Sequence, residues 1–286
     1  MLNRSLYLII TVSLALSCDQ TKQRKSAEQK NLHFGHRGSG AHIYDGKMIE
    51  NTKSSVEFAL THLDGCEIDI QMSKEGTIWI YHDDMLGHFC DSSQLDNVSC
   101  IPQMSDAAIN KLKQCREGVE DRIYQLSDVF DLFVENNFHD KFLSLDVKGY
   151  FSEECFPSKN APKVYFEQFA DALTALIERY SITDQVIVES NYDEFMDRIK
   201  SISSDLTCHY IGYNNFDEKI ERVIAKNYDG ISFSLFDSEL TKNHIDSARK
   251  LGLDVQLWPV TDSSLLEKAK KLEPFSFQVS KMKLVH

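Results

Sequence analysis

The sequence predicts an α/β chain folded as a (β/α)8 TIM-type barrel, with a β-hairpin and a small inserted cap after the early strands. Three observations lead there. Short apolar runs alternate with helix-like amphipathic runs over about 250 of the 286 residues. Two neighbouring apolar runs near residue 75 are joined only by the polar turn SKEGT, the mark of an antiparallel hairpin. A 42% hydrophobic content gives enough interior for one large domain. Repeated βα units favour a parallel sheet with short connections. A doubly wound open sheet stays the alternative, because periodicity alone does not show whether a sheet closes. No Gly-rich dinucleotide or phosphate-loop motif follows any strand.

Residues 1–17 read as a signal peptide. Arg4 supplies the positive charge, Leu6 to Leu16 is apolar but short for a bilayer span, and Ser17 is the small residue before Cys18. LALSC resembles a bacterial lipoprotein signal. That resemblance implies lipid on Cys18, attachment to a membrane through this N-terminal anchor, and export to the periplasm or the cell surface; a plain secretory signal or a buried hydrophobic start is the alternative. Residues 18–31 carry no apolar periodicity and read as a polar tether, leaving 32–286 as the barrel domain.

Within the domain, Leu32 to Gly35 is the first strand. Asn51 or Thr52 then caps a helix reaching about His62, with Val56, Phe58, Ala59 and Leu60 as its apolar residues. Gly65 to Met72 is the next strand and IWIYH its hairpin partner. A turn centred near Lys74 and Glu75 places His82 roughly opposite Glu67. Residues 85–125 lack strong strand periodicity and read as the inserted cap, with a helix over 106–115. A helix over 126–137 follows, and then strands 142–148, 185–190, 206–211, 230–233, 255–260 and 275–279 alternate with helices 162–180, 192–202, 216–225, 241–251 and 263–272. Nine strands result, and assigning IWIYH to the hairpin leaves eight to close a barrel.

The formal net charge of −13 argues against a nucleic acid or an anionic membrane surface as partner, since both would repel the chain. A small ligand drawn into a locally basic pocket fits better, and the oligomeric state is not legible. Besides Cys18 there are six cysteines, Cys66, Cys90, Cys100, Cys115, Cys155 and Cys208. Export permits disulfides among them. Six cysteines allow fifteen pairings; Cys90 with Cys100, both in one polar loop, is the favoured pair, and free or buried thiols are the alternative. No C-x-x-C spacing suggests a structural zinc site.

Polar chemistry concentrates between His33 and Asp84: GHRG at 35–38, ENT at 50–52, EID at 67–69 and YHDD at 81–84. Glu67 and Asp69 alternate along a strand, so both face one side, and two bare carboxylates facing inward would repel and resist burial. A hard divalent cation with oxygen ligands resolves that conflict. The two histidines titrate near working pH, as proton donors and acceptors must.

In this order the motifs resemble those of the glycerophosphodiester phosphodiesterase family, and the resemblance continues through LSLDVK at 143–148, LWPVTD at 257–262 and FQVSK at 277–281. It covers about residues 32 to 286. It implies metal-dependent hydrolysis of a small-molecule phosphodiester to glycerol 3-phosphate and an alcohol. His36 and His82 would be the catalytic pair, Glu67, Asp69 and Asp146 the ligands of Mg or Ca, and Arg37, Lys148, Glu50 and Trp258 the substrate-binding residues. Asp146 stands where the family usually has Glu, as in the related sphingomyelinase D enzymes. A lipid-directed phosphodiesterase of that kind is therefore a rival, for which the early loops offer only scattered Ile43, Met48, Met85 and Phe89. A noncatalytic lipoprotein binding a phosphorylated ligand is a third reading. Each candidate also has a purely structural role open to it: an acidic strand edge, a salt-bridged cation, a helix-start glutamate or a core tryptophan. His33 and His88 lack the motif contexts. The stretch from Gly38 to Ile49 is longer than the family's usual link and is expected over the pocket mouth.

Overall fold

The computed structural model describes residues 31–44, 47–83, 100–149, 155, 156, 158 and 160–286; Cys18, the signal segment, most of the tether, Asp84, Met85, His88, Phe89 and Cys90 lie outside the described residues. The chain opens with β1 (Leu32–Gly35), a small ribbon of β2 (Ile43–Tyr44) and β3 (Met48–Ile49), α1 (Lys53–His62), and β4 (Gly65–Met72) with its hairpin partner β5 (Ile78–Ile80). The cap follows as α2 (Asp106–Ile109), β6 (Lys113–Arg116), β7 (Val119–Arg122) and β8 (Tyr124–Gln125). After α3 (Leu126–Glu135) strands and helices alternate: β9 (Phe142–Val147), α4 (Ala161–Tyr180), β10 (Val186–Ser190), α5 (Asp193–Ile202), β11 (Thr207–Gly212), α6 (Phe216–Lys226), β12 (Gly230–Ser234), α7 (Lys242–Lys250), β13 (Asp254–Val260), α8 (Ser263–Leu272) and β14 (Ser276–Val279).

Eight strands run parallel in the order β1, β4, β9, β10, β11, β12, β13, β14, and β1 pairs with both β14 and β4. That double pairing closes the barrel and rules out the open sheet. β5 runs antiparallel to β4 outside the closed ring, with Ile70 opposite Ile80 and Met72 opposite Ile78. Continued along the chain, this register sets His82 beside Ile68, one residue from the expected position, because the turn is centred on Glu75.

Alternation along each strand divides the residues between two surroundings. Ile68, Ile70, Leu145, Val188, Ile231, Val255 and Phe277 join the apolar layer shared with the helices. The interior of the ring is different. Phe34, Ile187 and Phe275 plug its amino end. Above them lie buried Ser144, Glu189, Gln256, Ser276 and Gln278, in place of the branched apolar layers usual in such barrels. Their hydrogen bonds make the burial tolerable: Ser144 and Gln256 donate to Glu189 Oε1, Gln278 Nε2 does so at 3.1 Å, and Ser276 Oγ donates to Gln256 Oε1 at 2.8 Å. Glu189 at the centre of this network keeps its carboxyl above the usual range through burial and the nearby Asp146.

Two cap expectations fail. The predicted helix over 106–115 stops at Ile109, since Glu117 and Gly118 take positive φ values of 48° and 84° and fold the next residues into the β6–β7 hairpin. The cap owes its own small core to Trp79, Tyr81, Ile101, Met104, Ile109, Leu112 and Ile123. Cys100 pairs with Cys155, its Cα 6.0 Å away, in place of Cys90. Cys115 is also disulfide-bonded, while Cys66 and Cys208 are buried thiols. Sequence proximity misled here: Cys100 opens the turn beside β4, and folding brings the segment before α4 to the same place. Among the described residues no helix is long and apolar enough to cross a membrane.

The Cys100–Cys155 bridge closes a span of 55 residues. Replacing both cysteines with Ala is expected to cost about 4 kcal/mol by the chain-entropy argument. A lowered denaturant midpoint, with a slope that rises as the released unfolded chain exposes more surface, checks this; an unchanged midpoint would mean that the link does not restrain the unfolded chain.

Candidate functional site

The site forms at the carboxyl ends of the barrel strands, beginning where the GHRG stretch leaves β1. A side chain at Gly35 would collide with Gly38 O, and one at Gly38, where φ is +85°, would collide with Ser55 Oγ. Arg37 between them takes φ 58°, a left-handed conformation uncommon outside glycine and found at functional positions. It turns the Arg37 N–H onto Glu67 Oε2 at 2.9 Å. The guanidinium then lies 3.1 Å from Glu50 Oε1 and 3.5 Å from Asp69 Oδ2.

The start of α1 makes a second such turn. Thr52 caps the helix by accepting from Ser55 N at 3.3 Å, while Asn51 before it adopts φ 54°. Asparagine tolerates that conformation. The side chain is thereby aimed at β4, where Asn51 Nδ2 donates to Asp69 Oδ2 at 2.6 Å and Asn51 Oδ1 accepts from Asp69 N at 3.0 Å. Glu50 is buried in the same turn. It accepts from Arg37 and from the His42 N–H, and Arg116 NH2 of the cap lies 3.5 Å away. Glu50 thus braces Arg37 and does not join the cavity wall.

Glu67, Asp69 and Asp146 converge as their strand positions require, with one oxygen from each within 4.8 Å of the others. The first two are fully buried. Burial, reinforced by Asp69 and Asp146, holds the Glu67 carboxyl well above its ordinary range. Asp69 is buried as deeply, yet Lys148, His82 and Arg37 overcome the burial and hold it low. Lys148 Nζ is 2.8 Å from Asp69 Oδ1 and also contacts Asp146. Burial alone would lower Lys148; the carboxylates Asp146, Asp69 and Glu67 reverse that and raise it. Burial raises Asp146 too, with Lys148 opposing.

The histidines have unlike neighbours. His36 Nδ1 is 2.7 Å from Ser280 Oγ, and its Nε2 is 3.8 Å from Glu67 Oε2. Burial, then Arg37, pushes it well below its ordinary value, against the pull of Asp69. His82 Nδ1 is 2.7 Å from Asp83 Oδ1, and Asp83 in turn lies 3.7 Å from Arg116. Both histidines line one cavity of about 390 Å³ together with Arg37, Asp146 and Lys148. Its opposite wall is Ile211, Tyr213, Trp258 and Pro259. None of the described residues of the long 38–49 stretch lines it; that stretch forms the β2–β3 ribbon, whose Tyr44 packs on Phe58 of α1. His33 packs on Phe277, away from the cavity.

The sequence reading missed Asn51, Asp83, Arg116, Glu189 and Tyr213. Asn51 and Asp83 sit inside quoted motifs, and the N-cap position and the HDD triplet were signals for them. Arg116 reaches the site only through the cap hairpin, and Tyr213 only because β11 and β13 are brought together by the barrel. Nothing local marks either residue.

Three carboxylates, two cations and two histidines around the strand-end mouth of a parallel barrel define a hydrolase of phosphoric diesters. The chain belongs to the glycerophosphoryl diester phosphodiesterase family, whose model matches residues 36–277. Its fold is similar to that of a Silicibacter pomeroyi DSS-3 protein provisionally named as a glycerophosphoryl diester phosphodiesterase, with TM-score 0.75, 17% identity, and coverage of 91% of this chain and 94% of that one. An Oleispira antarctica phosphodiesterase, solved in complex with the product sn-glycerol-3-phosphate, matches with TM-score 0.68 and 19% identity over 89% and 95% of the two chains. The Thermotoga maritima glycerophosphodiester phosphodiesterase matches with TM-score 0.63 and 21% identity over 89% and 96%. No curated protein sequence matches the chain.

Asn51→Ala removes both hydrogen bonds to Asp69 and places alanine in a left-handed conformation. The expected loss is about 2 to 4 kcal/mol, read from chemical denaturation. Wild-type stability in this variant would show that Asn51 does not hold Asp69.

Proposed function

We propose that this protein hydrolyses glycerophosphodiesters, such as deacylated phospholipids, to glycerol 3-phosphate and an alcohol, using a divalent cation held by Glu67, Asp69 and Asp146. The observation that carries this reading is the convergence of those carboxylates, through Asp146, on the cavity that His36 and His82 line, in a chain of this family. The product bound in the Oleispira antarctica neighbour supports the glycerol 3-phosphate half.

The residues fit a hard cation. All the donors are oxygens, and Glu67 Oε1 is buried with no hydrogen-bond partner, a costly state that a positive ion relieves. Mg²⁺ and Ca²⁺ both suit such a donor set. When bound, the ion supplies positive charge to the phosphoryl oxygens. The side chains do the rest. One histidine takes the proton of the attacking hydroxyl and the other protonates the departing alcohol oxygen. Asp83 fixes the tautomer of His82, and Ser280 orients His36. Arg37 and Lys148 bring donors to the negative charge that grows on the phosphoryl group.

The sphingomyelinase D reading rests on Asp146, which stands where the family usually has Glu.

Glu67→Ala or Asp69→Ala is expected to abolish divalent-cation binding in calorimetry as well as release of glycerol 3-phosphate from glycerophosphodiesters. Undiminished cation affinity in both variants would remove these residues from the ligand set.

His36→Ala and His82→Ala should each lower turnover by about 10² to 10⁴ while cation binding persists. A nitrophenyl phosphodiester, whose leaving oxygen needs little protonation, should rescue the variant lacking the acid and not the one lacking the base. Equal rescue of both would contradict the division of labour.

Cys18→Ser should end fatty-acid labelling of the expressed protein. Equal labelling of variant and parent would exclude this cysteine as the anchor.

A further inference from the structure

The wall of the cavity facing the histidines has its own chemistry. Tyr213, directly after β11, and Trp258, in β13, meet with ring centroids 5.2 Å apart and planes at 88°. Ile211 and Pro259 extend this wall, and along the strand order Gln278 of β14 and Glu189 of β10 are the polar lining residues that flank it. The two cations that line the cavity are turned the other way, Arg37 toward Glu50 and Asp69, Lys148 toward Asp69 and Asp146.

Packed on the two rings, an alcohol rich in hydroxyls would find few partners, at a cost for each group left unpaired. A primary ammonium can pair with the cavity's carboxylates, but the donors it turns to the rings meet no such acceptor. A quaternary ammonium has no donor to satisfy, and its diffuse charge is attracted to aromatic faces. The carboxylates Asp83 and Glu189 line the same cavity, and the chain's net charge of −13 favours a cation at its mouth.

We infer that Tyr213 and Trp258 form the recognition wall for the alcohol half of the substrate and select a quaternary ammonium alcohol of the choline type. This rests on the phosphodiesterase reading and names its preferred substrate class.

The test compares kcat/KM for glycerophosphocholine, glycerophosphoethanolamine and glycerophosphoglycerol in the cation-loaded wild type and in Tyr213→Leu, Tyr213→Phe, Trp258→Leu and Phe236→Ala, with thermal melts to confirm folding. Phe236 is an exposed aromatic on the loop after β12 and does not line the cavity. The wild type should prefer the choline ester. Tyr213→Leu and Trp258→Leu should each lose about 5- to 30-fold on that ester, mainly through KM, and stay within about twofold on the glycerol ester. Tyr213→Phe, which keeps a ring, should retain most of the preference, and Phe236→Ala should change nothing. No choline preference in the wild type, or equal losses on all three esters, overturns the inference. A binding measurement separates this failure from failure of the diesterase reading. Saturation-transfer NMR with choline chloride, against glycerol as the comparison probe, should show choline held by the wild type and released in Tyr213→Leu. Choline binding without turnover of any ester would refute the diesterase reading and keep the wall; no choline binding refutes the wall.

Discussion

Like-charge repulsion among three carboxylates that the barrel forces together is the constraint on which the rest of the site depends. Glu67 and Asp69 point inward because strand alternation allows nothing else once Ile68 and Ile70 face the helices, and Asp146 meets them because β9 pairs beside β4. Buried charge of one sign is untenable without compensation. Much of the neighbourhood supplies it. Lys148 contacts two of the carboxylates, Arg37 approaches Asp69, Asn51 gives Asp69 two hydrogen bonds, and the Arg37 N–H serves Glu67. Glu67 is the least compensated, which is why its carboxyl is raised while that of Asp69 is lowered. The imbalance makes Glu67 the carboxyl that an added positive charge would relieve most.

The backbone is shaped to deliver these partners. Arg37 and Asn51 both adopt left-handed conformations at the tops of the first βα unit, each at a cost that a loop without a task would avoid. The two sharp turns place one N–H and one carboxamide on neighbouring carboxylates of β4. The cap adds Arg116, which spans Glu50 and Asp83 and so links the support of Arg37 to the support of His82. An insertion that a sequence pattern shows only as a cap thereby braces both Arg37 and His82 at the cavity.

What the sequence made legible was what is local or periodic. The alternation of strand and helix runs is written in the positions of the apolar residues, and GHRG, E-x-D and the hairpin histidine lie within fifty residues of one another. The placement of Glu67 and Asp69 on one side needed only the two-residue period of a strand. Closure of the barrel, the Cys100–Cys155 pair and the Tyr213–Trp258 corner are long-range facts, fixed by which strands become neighbours. The helix expected over 106–115 failed for a local reason of the opposite kind: the Glu117-Gly118 turn outweighed the helical pattern before it. Lys148 stood out within the LSLDVK stretch, but its contact with Asp69 depends on the β4–β9 register, which no run of residues discloses.

The polar barrel interior, the strained turns and the paired cations all make sense if a divalent cation completes the carboxylate cluster. Release of glycerol 3-phosphate from a glycerophosphodiester, measured on the chelator-treated protein before and after Mg²⁺ or Ca²⁺ is returned, tests this most directly. The account predicts that turnover disappears on chelation and is restored by the ion. Undiminished turnover by fully chelated protein would contradict it.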